Sequence, residues 1–254
     1  MAKGARPRWS TGRILAFCAA AAIVVTLLVR YSSLGATLKQ VGAGVHNPAA
    51  TTYTIPASSV TSVSVDTSGS VTVTGVTGNG PVTVTEDVSY STTPPVTSRK
   101  VTGGTLALGY SCGTAKQFVC AVNYTIRAPR GLAVRADSSG SSVTLTSLSG
   151  PVSAQTSTSL LTVSDLTSPT AVLKSGAGGI NATFDSAPKS LQASTSAGPI
   201  SVEVPGSARY QVDAHAVVGV TRVSVPHAAT SPASAQEHTI TAHSDLGSIT
   251  ISPS

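Results

Sequence analysis

The sequence predicts an all-β protein: a β-solenoid of ~20-residue repeats with an N-terminal β cap, preceded by one transmembrane helix. Three observations predict it. Ser (38) and Thr (34) dominate the 254 residues, while charged residues are only 10% and aromatics 4%. Short strands and tight turns use such an alphabet; helical bundles do not. From residue 132 the chain becomes self-similar, with a strand, a small-residue turn and a second strand in each unit. Near the N-terminus an uncharged apolar run, Ile14 to Val29, lies between Arg13 and Arg30.

That run comes first in the chain. Its 16 residues would span roughly 24 Å as a helix, a little short of a ~30 Å hydrocarbon core. Arg13 and Arg30 can snorkel to the two surfaces, with Trp9 and Tyr31 as interfacial anchors. The net charge of +6 is local: Lys3, Arg6, Arg8, Arg13, Arg30 and Lys39 precede the first acid, Asp66. From residue 40 onward ten basic and ten acidic residues cancel. The basic excess is therefore a topology signal, and nucleic-acid binding is not expected. The expected order is a cytoplasmic basic tail (1–13), a membrane signal anchor (14–31) and a linker (32–52), with the remainder exported. A cleaved signal peptide is the alternative, with Ser33 and Gly35 as a small-residue pair for cleavage. Leu15-Ala-Phe-Cys18 is a poor lipidation box, because Phe17 stands where a small residue is needed.

Residues 53–131 read as an N-terminal β region. Alternation is plain in 60–65, 71–74, 82–85, 106–108 and 122–126, with Gly- and Pro-rich breaks between. Cys112 and Cys120 lie here, eight residues apart. With Cys18 in the membrane segment they are expected to pair with each other, which suits an oxidising exterior. Two free thiols are the alternative. A zinc site lacks the further Cys or His ligands it would need.

Residues 132–254 read as the repeats. Units begin near Leu132, Val152, Val172 and Leu191, and later near Tyr210 and Ile240. Gly140, Ser159, Gly178 and Gly198 hold the turn positions, 19, 19 and 20 residues apart. A single unit cannot bury its Val/Leu face alone, whereas stacked units bury a continuous core. Each turn must be small because stacked coils lie about 4.8 Å apart. The long last interval, with Pro226 and Pro232, implies an insertion before the final unit. An antiparallel β-sandwich is the alternative architecture.

The units Val63-Ser-Val-Asp-Thr-Ser-Gly-Ser-Val-Thr-Val73, Val134-Arg-Ala-Asp-Ser-Ser-Gly140, Ala193-Ser-Thr-Ser-Ala-Gly-Pro-Ile200 and Ala242-His-Ser-Asp-Leu-Gly-Ser-Ile249 resemble those of a known family. It is the actinobacterial-type bacterial putative-adhesin β-solenoid family of membrane-anchored proteins. Cys120-Ala-Val-Asn-Tyr-Thr-Ile-Arg-Ala-Pro-Arg-Gly131 is similar to the segment that leads into that family's solenoid, and Val202-Glu-Val-Pro-Gly206 to its later turn. The chain departs from the pattern after the turn Gly, where the family's Asp is Ser70, Ser141, Pro199 or Ser248. The resemblance implies an exported, surface-attached, non-enzymatic module with no catalytic residues to carry over.

The search for chemistry agrees. Asp213/His215 and His243/Asp245 are each two apart and can share a strand face, but two ligands are too few for a metal. His238 and His243 fall on opposite faces. Asp66, Asp137 and Asp245 each precede a turn and read as Asx turns. No nucleophile elbow, zinc-protease motif or P-loop is present, and no catalytic, cofactor or metal residue is assigned. Thr-x-Thr at 72/74, 83/85, 144/146 and 239/241 raises a minor ice-binding reading, weakened because later units break the pattern at Asn181/Thr183 and Ser201/Glu203. Ten scattered acids make a polysaccharide-active enzyme a minor reading too. The function expected is a cell-surface structural or adhesive module that binds cell-wall polymer or an envelope protein. The alternative is an accessory or sensor in envelope-stress signalling. Its basic tail is too short for a folded effector, so that role needs a membrane partner.

Overall fold

The computed structural model describes residues 44–114, 116–227 and 238–254. The basic tail 1–13, the expected membrane segment 14–31 and the first part of the linker lie outside the described residues. Among the described residues no helix is long and apolar enough to cross a membrane.

The described chain is all-β, as its alphabet predicts. Its strands are β1 (Thr51–Ile55), β2 (Ser62–Thr67), β3 (Val71–Val76), β4 (Val82–Tyr90), β5 (Val96–Thr102), β6 (Thr105–Ser111) and β7 (Cys120–Pro129). Then follow β8 (Ala133–Ser138), β9 (Val143–Thr146), β10 (Val152–Thr156), β11 (Leu161–Leu166), β12 (Thr170–Ser175) and β13 (Ile180–Phe184). The last are β14 (Ser190–Ala197), β15 (Ile200–Val204), β16 (Tyr210–Val218), β17 (Thr221–Val223), β18 (His238–Leu246) and β19 (Ile249–Pro253). They form two sheets. Sheet I runs β1-β4-β7-β3-β9-β11-β13-β15-β19-β17, and sheet II runs β16-β18-β14-β12-β10-β8-β2-β6-β5.

Consecutive strands alternate between the sheets from β8 onward, and each pairs with the strand two further along the chain up to β15. Val134, Val152, Ala171 and Leu191 thereby lie side by side, 18, 19 and 20 residues apart. Pairing is antiparallel at β1–β4, β4–β7 and β5–β6 and parallel in every other ladder of the described residues. That arrangement excludes the antiparallel sandwich.

Chain order breaks at both ends of the stack. Strands β2 and β3 pair with β6 and β7 on one side and with β8 and β9 on the other. At the far end β18 lies between β14 and β16, and β19 between β15 and β17. The final sequence unit is thus not the outermost one. The longer interval seen in the sequence carries the chain back into a gap left inside the stack.

The core lies between the sheets. Alternate residues of every central strand point inward, and each strand's period of two puts its Val, Leu, Ile and Ala there. In four strands of sheet II the inward residues shrink towards the turn: Val134 then Ala136, Val152 then Ala154, Leu191 then Ala193, Ile240 then Ala242; in β12 the order is reversed, Ala171 then Leu173. A buried hydroxyl comes next, at Ser138, Thr156, Thr195 or Ser244, and then the turn itself. The turns stack as a column. A Cβ added at Gly178 would collide with the Ser159 carbonyl, and one at Gly247 with the Gly198 carbonyl.

Candidate functional site

Parallel register converts each outward position into a row across the sheet. On sheet II one row reads Asp66, Asp137, Gln155, Lys174, Ser194, His243 and His215, strand after strand. Beside it run Ser64, Arg135, Ser153, Val172, Gln192, Thr241 and Asp213. Neighbouring side chains repeat at about 4.8 Å. Charges of both signs alternate with amides and hydroxyls, and Arg135 pairs with Asp137 at 2.7 Å. Next to the turns an open groove of about 410 Å³ is lined by Gln155, Ser157, Lys174, Gly176, Ser194 and Ser196, with Thr156 and Ser175 at its floor. A second, of about 390 Å³, lies between Asp66, Ser68, Ser98, Tyr110, Cys112 and Ser139.

Sheet I carries a longer hydroxyl row. Thr52, Thr85, Thr125, Thr72, Thr144 and Thr162 sit on six adjacent strands in register, followed by Asn181, Ser201 and Thr250. The Thr52 and Thr85 hydroxyls are 2.8 Å apart. Periodicity finds the pairs at 72/74, 83/85 and 144/146. It cannot join them all, because β4 enters the row antiparallel between β1 and β7, and β7 precedes β3 in the sheet out of chain order.

The two His/Asp pairs, separate in the sequence, are brought together by the β16–β18 register. His215 faces His243 with ring centroids 5.8 Å apart, and His243 Nε2 lies 2.9 Å from Asp245 Oδ1. His238 lies on the opposite face of β18, where its Nδ1 meets the Pro188 carbonyl at 2.9 Å. His46 stacks on Tyr90. Among the described residues no group of three or more His, Cys, Asp or Glu is placed to hold a metal ion.

The Asx-turn reading is corrected by the structure. Asp137 and Asp245 engage Arg135 and His243, and buried hydroxyls hold the turns instead. Ser138 Oγ donates to Gly69 O at 2.8 Å, Thr156 Oγ1 to Ser141 O at 3.0 Å, Thr195 Oγ1 to Gly178 O at 2.9 Å and Ser244 Oγ to Gly198 O at 3.1 Å. Ser138 and Thr156 also accept from the turn N–H groups of Ser141 and Ser159. Each hydroxyl therefore ties its own turn to the one below. The legible signal was a Ser or Thr at an alternation position that should be apolar.

A polar cluster around the buried Glu86 closes the N-terminal end. Glu86 points inward from β4 and is 6% exposed. Tyr53 O–H donates to Glu86 Oε1 at 2.6 Å, and Arg99 of β5 lies 4.3 Å from the Tyr53 ring centre. This joins the edge of sheet I to the edge of sheet II. Burial, then the Glu86 hydrogen bond and charge, push the Tyr53 phenol well above its ordinary pKa. Burial and the Glu86 and Tyr110 side chains do the same for Tyr124. The Tyr124 O–H donates to Gly109 O at 2.9 Å. Cys112 and Cys120 form the expected disulfide, with Cα atoms 6.2 Å apart, and it joins the ends of β6 and β7.

No family model and no curated protein matches the chain. Among solved structures, it is similar to a putative cell adhesion protein from Clostridium sporogenes, with 10% identity and a TM-score of 0.40, covering 82% of this chain and 100% of that one. It is also similar to a putative adhesin from Bacteroides fragilis, with 17% identity and a TM-score of 0.40, covering 82% of this chain and 98% of that one. A putative lipid binding protein from Parabacteroides distasonis aligns at 13% identity and a TM-score of 0.31, covering 82% of this chain and 97% of that one.

Proposed function

We propose that this chain is a non-enzymatic cell-surface module, anchored by its N-terminal apolar run, whose two-sheet coil is a β-solenoid that adheres to a hydroxylated polymer such as cell-wall glycan. The observation that carries this is the in-register row on sheet II, Asp137–Gln155–Lys174–Ser194, beside its open polar groove. A polymer with a repeating set of hydroxyls meets a protein face with a repeating set of amides, charges and hydroxyls. Many weak contacts then add along a rigid surface. Export is supported by the charge segregation around Ile14–Val29 and by the Cys112–Cys120 disulfide.

The test is retention of the detergent-solubilised full chain on purified cell-wall polymer. Binding is expected to fall several-fold in Lys174→Ala and Gln155→Ala, whose side chains are exposed. Unchanged retention in both variants rejects this face. Capture of one envelope protein, with no retention on polymer, favours the accessory or sensor role. Hydrolysis of the polymer, abolished by one carboxylate substitution, restores an enzymatic reading.

The six-threonine row on sheet I favours a second reading, a face that orders water or ice. Freezing hysteresis in a solution of the protein, lost on Thr72→Lys with Thr144→Lys, is the outcome expected of it.

A further inference from the structure

Strand β16 is an edge of sheet II. It pairs with β18 on one side, and beyond an isolated bridge between Tyr210 and His227 no described strand pairs with its other side. Tyr210 N–H donates to Pro226 O at 2.9 Å on that outer side. Backbone groups alternate sides along a strand, so Val212, Ala214 and Ala216 also aim their N–H and C=O outward. Gln211–Val218 contains no Pro, Lys or Arg to guard the edge. The opposite edge of the same sheet, β5, carries Arg99 and Lys100. Edges left in this state are templates for pairing. Beside it, Val217, Val218, Val220 and Leu246 are 53–59% exposed.

We propose that this end of the stack is a homodimer interface, in which β16 pairs antiparallel with β16 of a second copy about a two-fold axis at Ala214. The strand is self-complementary about that residue. Ala214 faces its own copy, and its outward N–H and C=O form the two central hydrogen bonds. Val212 then faces Ala216 of the second copy, again through outward backbone groups. Asp213 faces His215 of the second copy, twice by symmetry, on the exposed face of the sheet. These are non-hydrogen-bonded positions, where opposed side chains approach most closely. Within one copy Asp213 has no ion pair among the described residues, and His215 stacks on His243. The axis also covers the half-buried Val212 and Ala216 at the open end of the core and sets β17 of sheet I towards its copy. The contact is isologous, so it closes at a dimer instead of growing into a fibre. This inference goes beyond the adhesive reading and does not depend on it.

Sedimentation equilibrium of the full chain in density-matched detergent tests it. Wild type is expected to dimerise. His215→Asp sets two pairs of carboxylates against each other and is expected to weaken the dimer roughly tenfold or more. The exchange D213H/H215D is expected to restore it. Ala214→Pro removes an outward N–H without touching the β18 ladder and is expected to be monomeric, with native circular dichroism. A monomeric wild type overturns the proposal. So does a dimer equally tight in His215→Asp and Ala214→Pro, which would place self-association elsewhere. Failure of D213H/H215D to recover the dimer overturns the register.

Discussion

Thr195 Oγ1 donates to the carbonyl of Gly178 at 2.9 Å, from a side chain only 3% exposed, and so fastens one turn of the stack to the turn beneath it. Ser138, Thr156 and Ser244 make the same contact in their own units. Some turn carbonyls accept from the neighbouring turn's backbone, as Ser157 O does from Ala177 N–H, but the Gly178 carbonyl takes its donor from a side chain, and a carbonyl left unpaired is costly. The buried hydroxyls supply such donors from between the two sheets.

Replacing Thr195 by Val keeps the shape and deletes the donor. The half-buried Gly178 carbonyl then loses this partner, and a loss of about 1–2 kcal/mol is expected. Thr195→Ser, which keeps the hydroxyl, should lose less. Urea unfolding of the two variants side by side checks the order, and an equal loss in both would point to packing alone.

Gly198 sits at φ +148°, and a Cβ there would lie 2.5 Å from the Gly178 carbonyl oxygen. Gly198→Ala therefore combines backbone strain with overpacking against main chain that cannot retreat, an expected cost of about 2–4 kcal/mol. Gly80, whose Cβ direction meets open space, is the control: Gly80→Ala should change the unfolding midpoint little.

Tyr53→Phe removes the O–H that donates to the nearly buried Glu86 carboxylate. A charged acceptor loses its donor, so destabilisation of about 1–3 kcal/mol is expected. Tyr53→Phe with Glu86→Leu should recover part of that loss, because the orphaned acceptor goes too. A double-mutant cycle by chemical denaturation measures the coupling, and additive losses would exclude it.

Alkaline pH should weaken the same end of the stack. Tyr53 and Tyr124 have folded pKa values above the ordinary phenol value of 10.0. Their contribution is whole below the unfolded pKa and declines as pH rises from there towards the folded values. Absorbance of ionised tyrosine is expected to rise late for these two groups, together with unfolding. Ionisation of every tyrosine near pH 10, with the fold intact, would contradict their burial.

Reduction of Cys112–Cys120 should cost about 2–3 kcal/mol in the chain-entropy model for so short a loop. Its effect should be concentrated in β6 and β7, whose ends it joins. Hydrogen exchange with and without reductant locates the loss, and a change centred on β14 or β15 would contradict it.

The strands themselves were legible because a period of two between turns is a local property. Val60–Val65, Val71–Thr74 and Val122–Ile126 all lie at or within strands, and the turn positions Gly140, Ser159, Gly178 and Gly198 do stack. The disulfide followed from spacing and elimination. Composition and charge placed the basic residues around an apolar run.

Only the tertiary structure decided which strands are neighbours. The sequence order of units suggests that Ile240–Ile251 ends the stack, yet β18 and β19 lie inside it, because a returning segment can pair wherever two edges are left open. The Thr row, the His215–His243 stack and the Tyr53–Glu86–Arg99 cluster each join strands far apart in the chain. The partners of the buried Ser and Thr were hidden for a related reason. Alternation tells which face a side chain takes, but the acceptor it finds there belongs to another turn, 15 to 69 residues away. Local pattern determines facing; long-range register determines what is faced.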